Sequence, residues 1–226
     1  MGRLRCRSLV PIEAVSPDAL VCSRALVHEI TNGQARTTFT LPDGRVIDSA
    51  VVRGALNRVT ALPLAHLAGA SRDDALYAEQ ELHALVLSVL HGLGDRVINR
   101  PTPQGLAGRL RTDAEWLWLA ARAGFRTADY REGDLGRTRT SGLPDGTALR
   151  AIVFDDRVHG MAVPSDVGVC AVALARLAET RLLGVDLVES PQGDWWFSAA
   201  SIVPDFRIGG DALLDALATA LGGPAT

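Results

Sequence analysis

The chemistry open to this chain has to be done without an ammonium side chain, because its 23 basic residues are all arginines. That excludes Schiff-base catalysis, a P-loop lysine and any lysine clamp on nucleotide phosphates. Arginine offers instead a planar fork that holds a carboxylate or phosphate through two parallel hydrogen bonds. Arg150, inside the apolar run Ala148 to Phe154, is a candidate phosphate or anion contact, or else an ion-pair neighbour of Asp155, Asp156 or Glu189. Asp186, in Leu183-Gly184-Val185-Asp186-Leu187, reads either as a metal- or ligand-binding carboxylate or as a strand-end aspartate satisfied locally. The steps Asn57-Arg58 and Asn99-Arg100 are candidates for lining a cleft, and asparagine there also suits loop shaping.

Other reactive side chains point to nothing further. His28, His66, His83, His91 and His159 show no i, i+4 pairing, and His83 and His91 lie two helical turns apart, too far to share an ion. Cys6, Cys22 and Cys170 are odd in number and widely spaced, so free thiols are expected rather than a disulfide framework or a zinc site. No Gly-x-Ser-x-Gly elbow marks a serine nucleophile.

The chain has 226 residues, 47% hydrophobic and 22% charged, enough to bury a core in one or two domains. A formal net charge of -3 gives no overall attraction to phosphate backbones or anionic membranes, so neither nucleic acid nor a membrane is an expected partner. Apolar stretches are broken by charge well short of the roughly 20 residues that span a bilayer. Pro11, Glu13 and Asp18 interrupt any signal-peptide core after the basic start, and a cytoplasmic location is expected.

The elements that must position these residues follow from patterning. Short alternating runs between Ala19 and Ile47, punctuated by Asn32-Gly33 and Pro42-Asp43-Gly44, predict a small antiparallel sheet. A short strand is expected at Val51 to Arg53, then a turn or loop over Gly54 to Arg58. Leu82, Leu85, Val86, Val89, Leu90 and Leu93 repeat with helical spacing over Asp73 to Leu93, and Val97-Ile98-Asn99 reads as a buried strand. Thr112 and Glu115 stand at capping-box spacing before a helix that ends at Gly124. Between Thr127 and Gly146 the composition turns to Arg, Asp, Thr and Gly, with glycines at 133, 136, 142 and 146. Residues 126–146 are therefore expected to be a Gly/Arg-rich linker between domains 1–125 and 147–226.

Beyond the linker the pattern predicts strands at Ala148 to Phe154 and Val158 to Val163, a helix from Val167 to Thr180, strands at Leu183 to Glu189 and Trp195 to Ala200, and a last helix from Asp211 to Leu221. The adjacent Trp195 and Trp196 must face opposite sides of their strand, one of them toward the core.

This order resembles the C-terminal part of the ATP-grasp peptide and amide ligases of the glutathione synthetase type. The resemblance rests on the helix before Leu183-Gly184-Val185-Asp186-Leu187, the Gln192-Gly193-Asp194 turn, and Trp195-Trp196-Phe197 running on to Ser201-Ile202-Val203-Pro204-Asp205-Phe206. Leu149-Arg150-Ala151-Ile152-Val153-Phe154 is similar to the strand that carries that family's phosphate-facing arginine. Leu56-Asn57-Arg58, Val97 to Pro101 and Ala120-Ala121-Arg122-Ala123-Gly124-Phe125 are similar to the domain preceding the nucleotide lobe. The implied fold class is mixed α/β: a pre-ATP-grasp-like N-terminal domain, then the C-terminal half of an ATP-grasp domain, with the nucleotide-clamping lobe missing.

The resemblance implies a metal-holding trio at Asp186, Ala199 and Ser201, so the family's Glu-x-Asn is Ala-x-Ser here. Alanine cannot ligate magnesium, and a hydroxyl is a weaker hard-cation ligand than an amide oxygen. The stretch from Arg126 to Gly146 is also too short for a lobe and holds no lysine. These departures imply a catalytically silent homologue that binds a peptide or a partner ligase in a peptide-natural-product-like pathway, without a cofactor and with room for a homo-oligomer. The alternative is an active ATP- and magnesium-dependent carboxylate-amine ligase that uses Asp186, Glu189, Ser201 and arginines, or whose site a partner chain completes.

Overall fold

The computed structural model describes residues 2–8, 10–132 and 138–222. They divide into two compact units, one of residues 1–109 with 217–226 and one of residues 110–216. The helix that opens at Thr112, which sequence patterning placed in the N-terminal domain, therefore groups with the C-terminal strands.

In the first unit, short helices α1 (Gly2–Arg5) and α2 (Pro17–Val21) precede an antiparallel sheet of β1 (Ala25–Thr31), β2 (Gln34–Thr40) and β3 (Val46–Asp48) in that order. Asn32 and Gly33 join β1 to β2 with φ of +53° and +75°, two left-handed residues whose twist suits a tight hairpin. The expected strand at Val51 to Arg53 is absent. Pairing falls instead on β4 (Ala55–Leu56), inside the expected loop, which runs parallel to β5 (Val97–Ile98). Gly54 precedes β4 where a β-carbon would come 2.7 Å from the Leu221 Cα, so only glycine passes. Helix α3 (Arg72–Gly92) packs against β2, and the Ser71 hydroxyl caps it by accepting from the Asp74 N–H.

The second unit is built on a five-stranded sheet. Its strands are β6 (Arg126–Thr127), β9 (Thr147–Phe154), β10 (Arg157–Gly160), β11 (Leu182–Glu189) and β12 (Trp195–Ser201), in the order β10-β9-β11-β12-β6. All neighbours are antiparallel except β12 and β6. A separate two-stranded ribbon pairs β7 (Asp129–Glu132) with β8 (Thr138–Ser141). The stretch expected as a linker thus contains three strands; its Gly133 and Gly136 lie outside the described residues.

Helix α4 (Asp113–Arg122) carries the anticipated reciprocal box: Glu115 N–H donates to Thr112 Oγ1 and Thr112 N–H to Glu115 Oε2. Helix α5 (Ser165–Leu177) and α4 bury one sheet face, with Ala171, Leu174, Val153, Val185 and Phe197 almost wholly enclosed. Phe197 meets Phe125 at 6.0 Å between ring centres. The core aromatic of β12 is therefore Phe197, and both tryptophans before it are only half-buried. On the opposite face Pro204 lies against Gly184, where a β-carbon would come within 2.8 Å of it. The last described element is α6 (Gly210–Gly222), whose residues from Leu217 onward belong to the first unit. Among the described residues no helix is long and apolar enough to cross a membrane.

Candidate functional site

Antiparallel pairing of β9 with β11 sets Arg150 directly opposite Asp186. On two neighbouring strands such residues share a face and their β-carbons approach closely, so side chains of opposite charge meet without backbone adjustment. They meet here as a fork: Arg150 Nε donates to Asp186 Oδ1, and Arg150 Nη2 donates to Asp186 Oδ2 at 2.6 Å. The carboxylate is 28% exposed and the guanidinium 42%. The hydrogen bonding of Arg150 to Asp186 raises the guanidinium above its ordinary pKa; burial opposes this, and the charges of Asp186 and Asp205 reinforce it.

The third strand brings the rest of the implied trio alongside. Asp186 pairs with Ala199, and Gly184 with Ser201. Between Asp186 and Leu187 the register with β12 slips by one residue. The bulge keeps Phe197 on the core face while returning Ala199 and Ser201 to the face of Asp186. Asp186, Ala199 and Ser201 are therefore neighbours on one surface, with Arg150 among them. Glu189 is not. Three residues beyond Asp186 on the same strand, it points to the other face, opposite Thr147 and Trp195.

Both Asp186 oxygens are taken by Arg150, Ala199 has no donor atom, and the Ser201 hydroxyl accepts the Val203 N–H at 3.3 Å. Magnesium asks for near-octahedral oxygen ligation, usually with one or two carboxylates. This donor set does not fit it. Among the described residues no three His, Cys, Asp or Glu side chains converge as a metal would require.

In the first unit the two asparagines serve the backbone. Asn57 is buried; its Nδ2 donates to the carbonyls of Asn99 at 3.0 Å and Leu106 at 2.6 Å, and its Oδ1 accepts from the Val59 N–H at 3.1 Å. Asn99 sits at φ +59°, a left-handed position that asparagine tolerates better than most residues. Arg58 is exposed, and Arg100 donates to the Gly94 carbonyl and pairs with Asp95. Asn57 and Asn99 meet through a backbone carbonyl rather than through side chains aimed at solvent.

Sequence reasoning missed a polar clamp in this unit. His28 Nδ1 lies 2.7 Å from Thr37 Oγ1, and its Nε2 lies 2.8 Å from Ser88 Oγ, joining β1, β2 and α3. Partners 9 and 60 residues away leave no local signal. Ser88 also lines a groove of about 1030 Å³ with Glu29, Ile30, Gln34, Arg36 and His91. Arg150, Asp186 and Ser201 have no part in that groove. The three cysteines are free, and burial, then the charge of Asp166, push the Cys170 thiol above its usual pKa.

No protein-family model matches the chain, and no curated protein matches it significantly. Solved structures do match. The macrocyclase MdnB from Microcystis aeruginosa MRC superposes with a TM-score of 0.67 at 14% identity, over 88% of this chain and 82% of that one. A RiPP-associated ATP-grasp ligase from Chryseobacterium gregarium, solved with ADP and a leader and core peptide, gives 0.66 at 11% identity, over 89% and 84%. The ATP-grasp ligase PsnB, solved with a phosphomimetic variant of a minimal precursor, Mg and ADP, gives 0.68 at 18% identity, over 97% and 90%. At these identities the likeness is one of fold, and this chain has a mixed α/β fold of the ATP-grasp ligase type.

Proposed function

We propose that this chain is an ATP-grasp-fold protein that has given up ATP-dependent chemistry and serves as a binding or accessory component for a peptide or a partner ligase, in a pathway that builds peptide natural products. One observation carries the reading: the only carboxylate at the implied metal positions is engaged in a fork by the arginine that would otherwise face phosphate. In-line phosphoryl transfer depends on metal and cation stabilisation of the phosphates. This face offers a neutral ion pair, an alanine and a hydroxyl, and the chain has no lysine. Peptide binding is supported by the neighbours of like fold, which were solved with leader, core or precursor peptides. The absence of a resident cofactor, a cytoplasmic location and no affinity for nucleic acid belong to the same reading.

The test combines a turnover assay with a selection. The purified chain is incubated with ATP, magnesium and a pool of peptide acceptors while ADP is followed, and it is separately used as bait for a displayed random-peptide library. The reading expects ADP at background and enrichment of a peptide sequence that binds the free protein. ADP formation that depends on the acceptor would overturn it in favour of an active carboxylate-amine ligase.

A further inference from the structure

We propose that the Arg150 guanidinium is the resident cation of this site, doing for Asp186 what a bound divalent ion would do and fastening β9 to β11 beside the bulge in β12. The inference rests on the non-catalytic reading above and deepens it, since it says what took the place of the ligand. Three features of the geometry point the same way. Arg150 and Asp186 are register partners, so the fork closes with no change in the backbone. The position on the other side of Asp186 is Ala199, which brings no oxygen that would compete for a metal. A second carboxylate, Asp205, stands close enough for its charge to act on Arg150, and it is itself chelated by Arg207.

The chemistry favours the guanidinium over a metal here. A carboxylate satisfies an arginine fork with its two oxygens alone, whereas magnesium needs several further oxygens in fixed directions. A divalent ion at Asp186 would also sit against the charge of Arg150. Removing Arg150 should therefore leave Asp186 in want of a cation.

The experiment uses the full chain and Mn²⁺ as the probe, with thermal unfolding and electron paramagnetic resonance counting of bound Mn²⁺. Wild type is expected to bind no Mn²⁺ and to keep its Tm in about 5 mM Mn²⁺, well above the dissociation constants of weak carboxylate sites. Arg150→Gln is expected to melt about 2–4 °C lower and to regain most of that loss as it binds Mn²⁺. An Arg150→Gln protein that binds no Mn²⁺ and does not respond to it overturns the resident-cation inference alone. Stabilisation of the wild type by Mn²⁺ overturns both this inference and the non-catalytic reading. Should Arg150→Gln not fold, the double variant Arg150→Met/Asp186→Leu decides. A folded protein indifferent to Mn²⁺ is the expected result, since both charges have gone together. Failure of that variant to fold would show that more than the charge pair holds the strands, and would overturn the inference.

Discussion

Asn57→Ala removes the three hydrogen bonds made by one buried side chain. The asparagine is 4% exposed, so water cannot readily replace what is lost. The carbonyls of Asn99 and Leu106 lose a shared donor, and the Val59 N–H loses its acceptor. At about 1 kcal/mol net for each bond, the loss is roughly 3 kcal/mol, and more if the orphaned groups stay dry. For a chain of this size that is a fall in Tm of about 6–12 °C. The assay is urea unfolding followed by circular dichroism, with Asn57→Asp beside Asn57→Ala. Aspartate keeps the acceptor for Val59 but turns an anion toward two carbonyls, so it should be the less stable of the two. A loss below about 1 kcal/mol for alanine, or an aspartate variant more stable than the alanine one, would refute the argument that Asn57 is spent on the backbone. It would return Asn57 to the role of a cleft residue.

Two further outcomes are expected. Asn99→Val should destabilise the chain more than Asn99→Gly, because φ of +59° costs a β-branched side chain about 1–3 kcal/mol that glycine escapes; paired melting curves decide it. His159 on β10 has a buried Nε2 without a hydrogen-bond partner, and burial, then the charge of Arg157, lower its pKa from the ordinary 6.5. The unfolded imidazole takes up its proton near 6.5 and the folded one only at lower pH. Between the two values the unfolded chain binds more protons, so stability is present above 6.5 and falls as the pH drops below it. His159→Leu should flatten that part of the stability curve measured by urea unfolding, and a slope identical to wild type would contradict the assignment.

What could be read in the sequence was what local chemistry determines. The Asn32-Gly33 hairpin, the Thr112/Glu115 box, the span of α3 and the strand carrying Asp186 each depend on neighbours a few residues apart, and each is found. The expected strand at Val51 to Arg53 failed because β4 is defined by a partner about 40 residues on, together with a glycine threading past α6. The strands within 126–146 were hidden by a polar composition: β6 is two residues long and lies at the edge of the sheet, where burial writes little into the sequence. For the site, the residue types were visible but their pairing was not. Asp155, Asp156 and Glu189 were the candidates to partner Arg150, the first two of them close in the chain. Register instead selects Asp186, 36 residues away, while Asp155 and Asp156 pair with Arg181 and Arg176. The faces of β11 likewise separate Glu189 from Asp186, which the family resemblance alone could not supply.

Whether the ATP-grasp fold persists here without its nucleotide chemistry, as proposed, is decided by a calorimetric titration of the full chain with ATP and magnesium, with Asp186→Ala as the control. No binding heat is expected for either protein up to millimolar ATP, the upper range of ordinary substrate affinities. Saturable binding by the wild type that disappears in Asp186→Ala would contradict it, and would place a working nucleotide–metal site at Asp186.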